Sequence, residues 1–257
     1  MIEAKDFDCI NNVFYLTPKE NGFSDVYIAV RDKEQRFLND KEVVKLPFCS
    51  KNNPHYKEWK LRQKSAFRFT NYIQDKPNNL KVLEIGCGNG WFSNLIAKSS
   101  NVNKVIGLDI NSDELEQATH VFQKQNLQFA YGDIFKMEAV FQNSFDIIVL
   151  NASVQYFPSF DQLITQLKKF LVSNGEIHII DSPFYHKEQV KKAKERSLEY
   201  YTMLGFPEMA DNYFHHEVSD LENFKVLYKP NDSFYNKVVR RKDSPFMWLY
   251  CHKKVNP

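Results

Sequence analysis

The feature that most restricts the fold of this chain is an alternation, beginning near residue 80, of short apolar runs with segments of helical periodicity. The apolar runs are KVLEI, KVIGLDI, LQFAYGD, FDIIVL and EIHIID. FDIIVL and EIHII are almost continuously apolar, as expected for strands that are buried on both faces of a sheet. The alternation predicts an α/β fold with a mostly parallel sheet flanked by helices. Two later extended runs, at 224–228 and 246–253, predict an antiparallel terminal hairpin and bring the sheet to seven strands.

The first of these strands runs into a glycine-rich loop. Glu84 is followed by Gly86, Gly88 and Gly90, and a helical segment comes next. Such a corner brings backbone N–H groups and a helix N-terminus together, which favours a polar or negative ligand group. A dinucleotide fingerprint needs a third glycine at the position of Trp91, and no Gly-Lys-Ser/Thr of a phosphate loop follows. The alternative explanation of these glycines is a tight turn between strand and helix that binds no ligand.

Polar side chains also stand at the ends of the next three strands. Asp109 ends the second strand, Asp133 follows the third, and Asn151 ends the fourth. Open α/β sheets bind ligands at the carboxyl ends of their strands, and an acid at the end of the second strand is where a ribose diol is held. The sequence therefore predicts a nucleoside-type ligand at this edge.

Charge and cysteine usage exclude several classes of protein. Thirty-four basic and thirty-two acidic side chains leave a net charge of +2, so charge gives no support to nucleic-acid binding. The four cysteines form no CxxC pair, which argues against a disulfide framework or a metal site. The start, MIEAKDFDCI, resembles no signal peptide, and no run approaches the ~20 apolar residues of a membrane span. We expect a cytoplasmic protein, either a monomer or a homodimer.

The combination of the glycine loop and the strand-end acids resembles the class I S-adenosylmethionine-dependent methyltransferase family, over roughly residues 54–253. The likeness is most specific in VLEIGCGNG, VIGLDIN, YGDIF and FDIIVLNASVQYF. It implies a Rossmann-like sheet that binds S-adenosylmethionine, with S-adenosylhomocysteine as product. By this resemblance the three glycines pass under the methionine portion, Asp109 takes the ribose hydroxyls, and Asp133 with Ile134 meets the adenine. Asn151 lies near the methionine end, and Glu84 orients the loop or an ordered water.

The full set of residues that the resemblance implies for cofactor binding is Glu84, Gly86, Cys87, Gly88, Gly90, Asp109, Ile110, Gly132, Asp133, Ile134, Asn151 and Arg62. Arg62 is predicted on the buried stripe of a helix before the sheet. Its partner is either the carboxylate of the cofactor or an internal acid.

The implied reaction is a direct in-line displacement, which needs positioning and exclusion of water. A base is needed only if the nucleophile must lose a proton. The motifs of base-amine and pyrimidine-carbon methyltransferases are absent, and NASVQYFP resembles the small-molecule branch, with Gln155 and Tyr156 bordering the acceptor pocket. His186, His215 and Tyr156 are the candidate catalytic residues, although a histidine is as often a packing residue.

We divide the chain into an N-terminal extension or cap, 1–53, and a methyltransferase domain, 54–257. Within the domain, 182–222 is an aromatic-rich insertion of the length typical of a lid over the acceptor. Its rings are Tyr185, His186, Tyr200, Tyr201, Phe206, Tyr213, His215 and His216. The alternative is that most of these rings have only a structural role and pack the lid against the sheet.

Three other functions stay open at this stage. The chain could be a regulatory protein that binds S-adenosylmethionine without catalysis, or a methyltransferase directed to RNA. A nicotinamide dehydrogenase would need a Tyr-x-x-x-Lys pair after the glycine loop. Tyr56 and Lys60 have that spacing but precede the loop.

Overall fold

The computed structural model describes residue 2 and residues 6–19, 23–230 and 243–253. Its strands are β1 (Asp8–Ile10), β2 (Val13–Tyr15), β3 (Leu80–Ile85), β4 (Val102–Asp109), β5 (Leu127–Tyr131), β6 (Phe145–Asn151), β7 (Leu171–Ile180), β8 (Lys225–Tyr228) and β9 (Trp248–His252). Its helices are α1 (Phe23–Lys33), α2 (Asp40–Val43), α3 (Tyr56–Gln74), α4 (Trp91–Ile96), α5 (Ser112–Val121), α6 (Glu138–Phe141), α7 (Phe160–Phe170) and α8 (Lys187–Leu204).

The described strands form a single sheet in the order β1-β2-β5-β4-β3-β6-β7-β9-β8. In this spatial order, all neighbouring pairs between β2 and β7 are parallel. β9 pairs antiparallel with both β7 and β8. The predicted α/β fold with a mostly parallel sheet and a terminal hairpin is therefore confirmed. The N-terminal residues add β1 and β2 at the edge beside β5, so the sheet has nine strands. These two strands have three residues each, which is too short to produce a periodic pattern.

Helices cover both faces of the sheet, which explains why the strands are apolar throughout. Along β3, Val82 belongs to the core on one face and Leu83 to the core on the other. The first core receives Phe69 of α3 and Leu115 of α5, and the second receives Leu167 of α7. After β3 the chain adds β4 and β5 on one side and then β6 and β7 on the other. The resulting topological switch point lies between β3 and β6, where the carboxyl ends of the strands leave a crevice.

A buried polar network fastens α3 to the β7–β9 end of the sheet. Glu176 accepts hydrogen bonds from Tyr72 Oη at 2.9 Å and Lys76 Nζ at 2.6 Å. His178, fully buried, accepts from Trp248 Nε1 at Nδ1, so the proton on its Nε2 is directed to Glu176 at 3.1 Å. Although burial alone would raise it, the hydrogen bonds from His178 and Lys76 lower the pKa of Glu176 to about 2. The Glu176 carboxylate is therefore ionised, and side chains of this chain donate the hydrogen bonds to it.

No helix in the described part of the chain combines the length and the apolar character of a membrane span. Within the same residues, no group of three or more His, Cys, Asp or Glu side chains is arranged to hold a metal ion.

Candidate cofactor and acceptor site

Two cavities lie at the carboxyl ends of the central strands. The larger, about 450 Å³, is here called the tyrosine cavity, and the smaller, about 350 Å³, the aspartate cavity. Both are lined by Tyr27, Gly86, Gly88, Ala152 and Tyr156. The two cavities therefore meet at the glycine loop and at the end of β6.

The glycine loop requires its glycines for two different reasons. Gly86, Gly88 and Gly90 all have positive φ, at 72°, 50° and 74°. A Cβ on Gly86 would lie 2.5 Å from Cβ of Ser153, on the cavity side. A Cβ on Gly90 would lie 2.5 Å from the Phe129 ring, inside the core. Gly90 lines neither cavity, so the geometry gives no support to its predicted contact with the cofactor.

Glu84 lies beneath the loop at the wall of the tyrosine cavity. Its side chain is only 2% exposed, and the hydroxyl of Ser93 donates a hydrogen bond to it. Burial raises the pKa of Glu84 to about 8, against the smaller opposite effect of Ser93. The carboxyl group is therefore mostly protonated near neutral pH.

Asp109 organises the aspartate cavity. Its Oδ2 accepts from the Gly88 amide at 2.8 Å, and its Oδ1 accepts from the amides of Ile110 at 2.8 Å and Asn111 at 2.9 Å. These three bonds fix the carboxylate relative to the loop, although burial raises its pKa. One lone-pair site, on Oδ2, remains to accept from a ligand diol.

The far wall of the aspartate cavity suits a flat apolar ring. Ile110 and Phe135 line it with side chains that are 40% and 43% exposed. Gly132, Asp133 and Ile134, all predicted, line it as well. The amide of Asp133 donates to Thr17 Oγ1 at 3.2 Å, so the N-terminal segment also forms part of this wall.

The tyrosine cavity contains three buried amide oxygens. Asn89 Oδ1, Asn151 Oδ1 and Gln155 Oε1 have no hydrogen-bond partner among the described residues, and all three residues line the cavity. A buried acceptor without a partner is costly. A ligand that carries several N–H donors, such as an ammonium group, would satisfy them.

Phenol rings form much of the remaining wall. The rings of Tyr27 and Tyr156 meet edge-on at 5.6 Å, and those of Tyr156 and Tyr213 at 5.9 Å. Tyr185, Tyr200 and Tyr201 complete the set. Four of these rings come from the predicted lid, one comes from α1, and Tyr156 follows β6.

The rim carries an ion-pair network. Arg36 contacts Glu34 at 3.1 Å and Glu58 at 2.8 Å, and Arg62 Nε contacts Glu58 at 2.9 Å. Although burial alone would raise it, the hydrogen bond from Arg36 and the charge of Arg62 lower the pKa of Glu58 to about 2. The two predicted partners of Arg62 are an internal acid and the carboxylate of the cofactor. Glu58 is the internal acid, and Arg62 also lines the cavity.

The three candidate catalytic residues have different positions. Tyr156 lines both cavities. His215 lines neither, but its Nε2 lies 2.9 Å from Ser197 Oγ and its ring is 5.3 Å from that of Tyr185, and both of these residues line the tyrosine cavity. His186 is exposed at the start of α8 and lines neither cavity, so its predicted role as a base has no support from the geometry.

Sequence reasoning missed several charged residues of the tyrosine cavity. Arg31, Glu34 and Arg36 belong to the N-terminal extension, where no motif drew attention to them. The spacing of Tyr27 and Arg31 on one face of a helix was the available signal. Glu114 is buried in the first turn of α5, and burial raises its pKa to about 7 against the opposing charge of Arg31.

A family profile described as "Methyltransferase domain" matches residues 76–232, more than half of the chain. The chain belongs to this family. By sequence and fold it is a member of the class I S-adenosylmethionine-dependent methyltransferase family, which confirms the predicted family and the cofactor of that family.

The similar proteins agree with this family but differ in what they are named for. A malonyl-[acyl-carrier protein] O-methyltransferase of Halalkalibacterium halodurans is 30% identical over 144 residues, 53% of this chain and 53% of the relative. A sterol 24-C-methyltransferase of Candida albicans is 24% identical over 205 residues, 76% of this chain and 52% of the relative. The chain thus spans about half the length of these curated relatives. The structure of the YcgJ protein from Bacillus subtilis, at 14% identity, covers 76% of this chain and 100% of its own with a TM-score of 0.58, which shows the shared fold.

Proposed function

We propose that this chain transfers the methyl group of S-adenosylmethionine to a small-molecule acceptor bound in the tyrosine cavity. One observation carries the proposal: a cavity with strand-end acids and a cavity walled by phenols and unsatisfied amides lie side by side and share the lining residues Gly86, Gly88 and Tyr156. A ligand that spans this junction would present its central atom to both cavities. S-adenosylmethionine has its sulfonium between the nucleoside and the amino-acid portion.

The side chains fit the two halves of the cofactor. In the aspartate cavity, Asp109 would bind the ribose hydroxyls, and Ile110 and Phe135 would cover the adenine. At the junction, the amide oxygens of Asn89 and Asn151 would accept from the methionine ammonium. The protonated Glu84 beneath the loop would ionise more readily beside that ammonium, because a nearby positive charge lowers a carboxyl pKa.

The remaining volume of the tyrosine cavity would hold the acceptor. Once bound, S-adenosylmethionine supplies an electrophilic methyl group on its sulfonium. The protein's part is to align the acceptor, through the ring of Tyr156 among others, and to exclude water. The cover over this volume comes from α1 and the predicted lid, which pack together through the buried side chains of Val30, Tyr201 and Met209.

The similar proteins are named for methyl transfer to oxygen and to carbon, so they do not agree on one acceptor atom. The small-molecule class is supported by the phenol-lined cavity, whose volume of about 450 Å³ suits a small ligand. A cytoplasmic location and a monomeric or homodimeric state stay predictions.

The proposal is tested by two measurements on the full chain. Calorimetric titration with S-adenosylmethionine is expected to show one binding site. Release of S-adenosylhomocysteine is then expected with a small-molecule extract and not with RNA. Binding without release in any fraction would favour the regulatory alternative, and release with RNA alone would favour the RNA-directed one.

A further inference from the structure

Arg31 occupies an unusual position in the wall of the tyrosine cavity. It lies one helical turn after Tyr27 in α1, with its guanidinium carbon 5.8 Å from the centre of the Tyr27 ring. Its Nε is buried and donates to no described group. No ion pair joins Arg31 to any carboxylate among the described residues, although Glu114 and Glu34 are near enough to influence it electrostatically. Arg31 is a half-buried residue, but its Nε is a buried donor without a partner, and such a donor calls for an anionic or strongly polar group.

Near neutral pH, the charged side chains that line the tyrosine cavity carry an excess of positive charge, although arginines and acids are equal in number. Its lining contains four arginines and four acids, namely Arg31, Arg36, Arg62 and Arg196 with Glu34, Glu58, Glu84 and Glu114. Glu34 and Glu58 are held by Arg36 and Arg62 in the rim network. Burial keeps Glu84 mostly protonated and leaves Glu114 only partly ionised near neutral pH. Arg31 and Arg196 are thus the cations with the least compensation.

The bound cofactor would not remove this excess. Its sulfonium and ammonium carry two positive charges against one carboxylate, and ionisation of Glu84 beside the ammonium would at most cancel this net +1. An amine acceptor that approached in its ammonium form would be repelled, and an anionic acceptor would be attracted, with an interaction that is strong where water is excluded. The nearby phenols do not oppose this preference, because burial raises the pKa of both Tyr27 and Tyr156 and neither ring adds a negative charge to the cavity.

We propose that the methyl acceptor is an anionic small molecule, bearing a carboxylate or a phosphate, and that Arg31 binds this anionic group. The inference rests on the proposed function and names the substrate class of the same site. The N-terminal extension would then determine acceptor specificity, since α1 supplies both Arg31 and Tyr27 to the cavity.

The test combines fractionation with variants of α1. A small-molecule extract is separated on anion and cation exchangers, and each fraction is assayed for S-adenosylhomocysteine release by the full chain. We expect the active material in the fraction retained by the anion exchanger. Phosphatase treatment of that fraction distinguishes the two sources: activity that is lost indicates a phosphate, and activity that survives indicates a carboxylate.

With the active fraction, Arg31→Gln is expected to lower kcat/KM for the acceptor roughly 30-fold, mainly through KM, with partial rescue by Arg31→Lys. The Kd for S-adenosylmethionine should stay within about twofold of the parent value. Lys33→Gln removes a charge from the exposed face of the same helix and should leave all of these constants unchanged.

Three results would overturn the inference while leaving methyl transfer intact. They are activity only in the cation-exchange fraction, an unchanged kcat/KM in Arg31→Gln, or a loss of S-adenosylmethionine binding in that variant, which would assign Arg31 to the cofactor. Failure of every fraction to release S-adenosylhomocysteine would contradict the proposed function itself, and the inference with it.

Discussion

Replacement of Asp109 by asparagine tests the cofactor half of the site. The change keeps the size of the side chain but removes the negative charge of the carboxylate that is proposed to bind the ribose diol. A hydrogen bond to a charged group contributes about 1.5–3 kcal/mol. Because one oxygen also becomes an NH₂ group, it can no longer accept from the backbone N–H groups that now converge on Asp109. We expect a loss of about 3 kcal/mol of binding free energy, which is roughly a 100-fold higher Kd for S-adenosylmethionine.

The assay is calorimetric titration of the parent and Asp109→Asn chains, with thermal unfolding as a check on the fold. Asp146→Asn is a matched control. Asp146 also accepts from a backbone amide, that of Lys81 at 2.8 Å, but at the amino edge of the sheet, away from both cavities. A folded Asp109→Asn chain with a Kd within threefold of the parent value would refute the assignment of the ribose to Asp109.

Two further predictions concern stability. The pKa of Glu176 lies at about 2 against an ordinary 4.5, so its ionised form contributes about 3 kcal/mol above pH 4.5 and this contribution is lost as the pH falls toward 2. Urea denaturation should therefore show Glu176→Gln about 3 kcal/mol less stable than the parent at pH 7 and closer to it at pH 3.5, and an equal difference at both pH values would contradict this. Gly90→Ala should cost about 2 kcal/mol or more in unfolding free energy, because its Cβ would meet the Phe129 ring. Gly205→Ala, with positive φ but open space around it, should cost about 1 kcal/mol, and equal costs would show that the clash at Gly90 is relieved.

The cofactor side of the site was predictable because it depends on short-range sequence. Asp109, Asp133 and Asn151 each stand at the end of a strand whose apolar run is visible, and parallel strands bring those ends to one edge. Gly90 shows the limit of this reasoning. Its spacing is that of the other two glycines, but its nearest neighbours are Phe129 of β5 and Ala118 of α5, and that contact depends on how these elements pack against the loop.

The acceptor side was less predictable because it depends on long-range packing. Arg31 lines the tyrosine cavity because α1 packs against the lid through Val30, Tyr201 and Met209. No local pattern in the extension indicates that contact. His186 shows the converse: its closeness to the fifth predicted strand in sequence suggested a catalytic position, but α8 begins there and leaves it exposed.

The most direct test of the account is a crystal structure of the full chain with S-adenosylhomocysteine. We predict one molecule across the junction of the two cavities, with ribose hydroxyls within hydrogen-bond distance of Asp109 and the adenine between Ile110 and Phe135. The sulfur should face the tyrosine cavity beside Tyr156, and the amino group should reach Asn89 and Asn151. A molecule bound elsewhere, or with its sulfur turned away from the tyrosine cavity, would contradict the central claim that this cavity receives the methyl group.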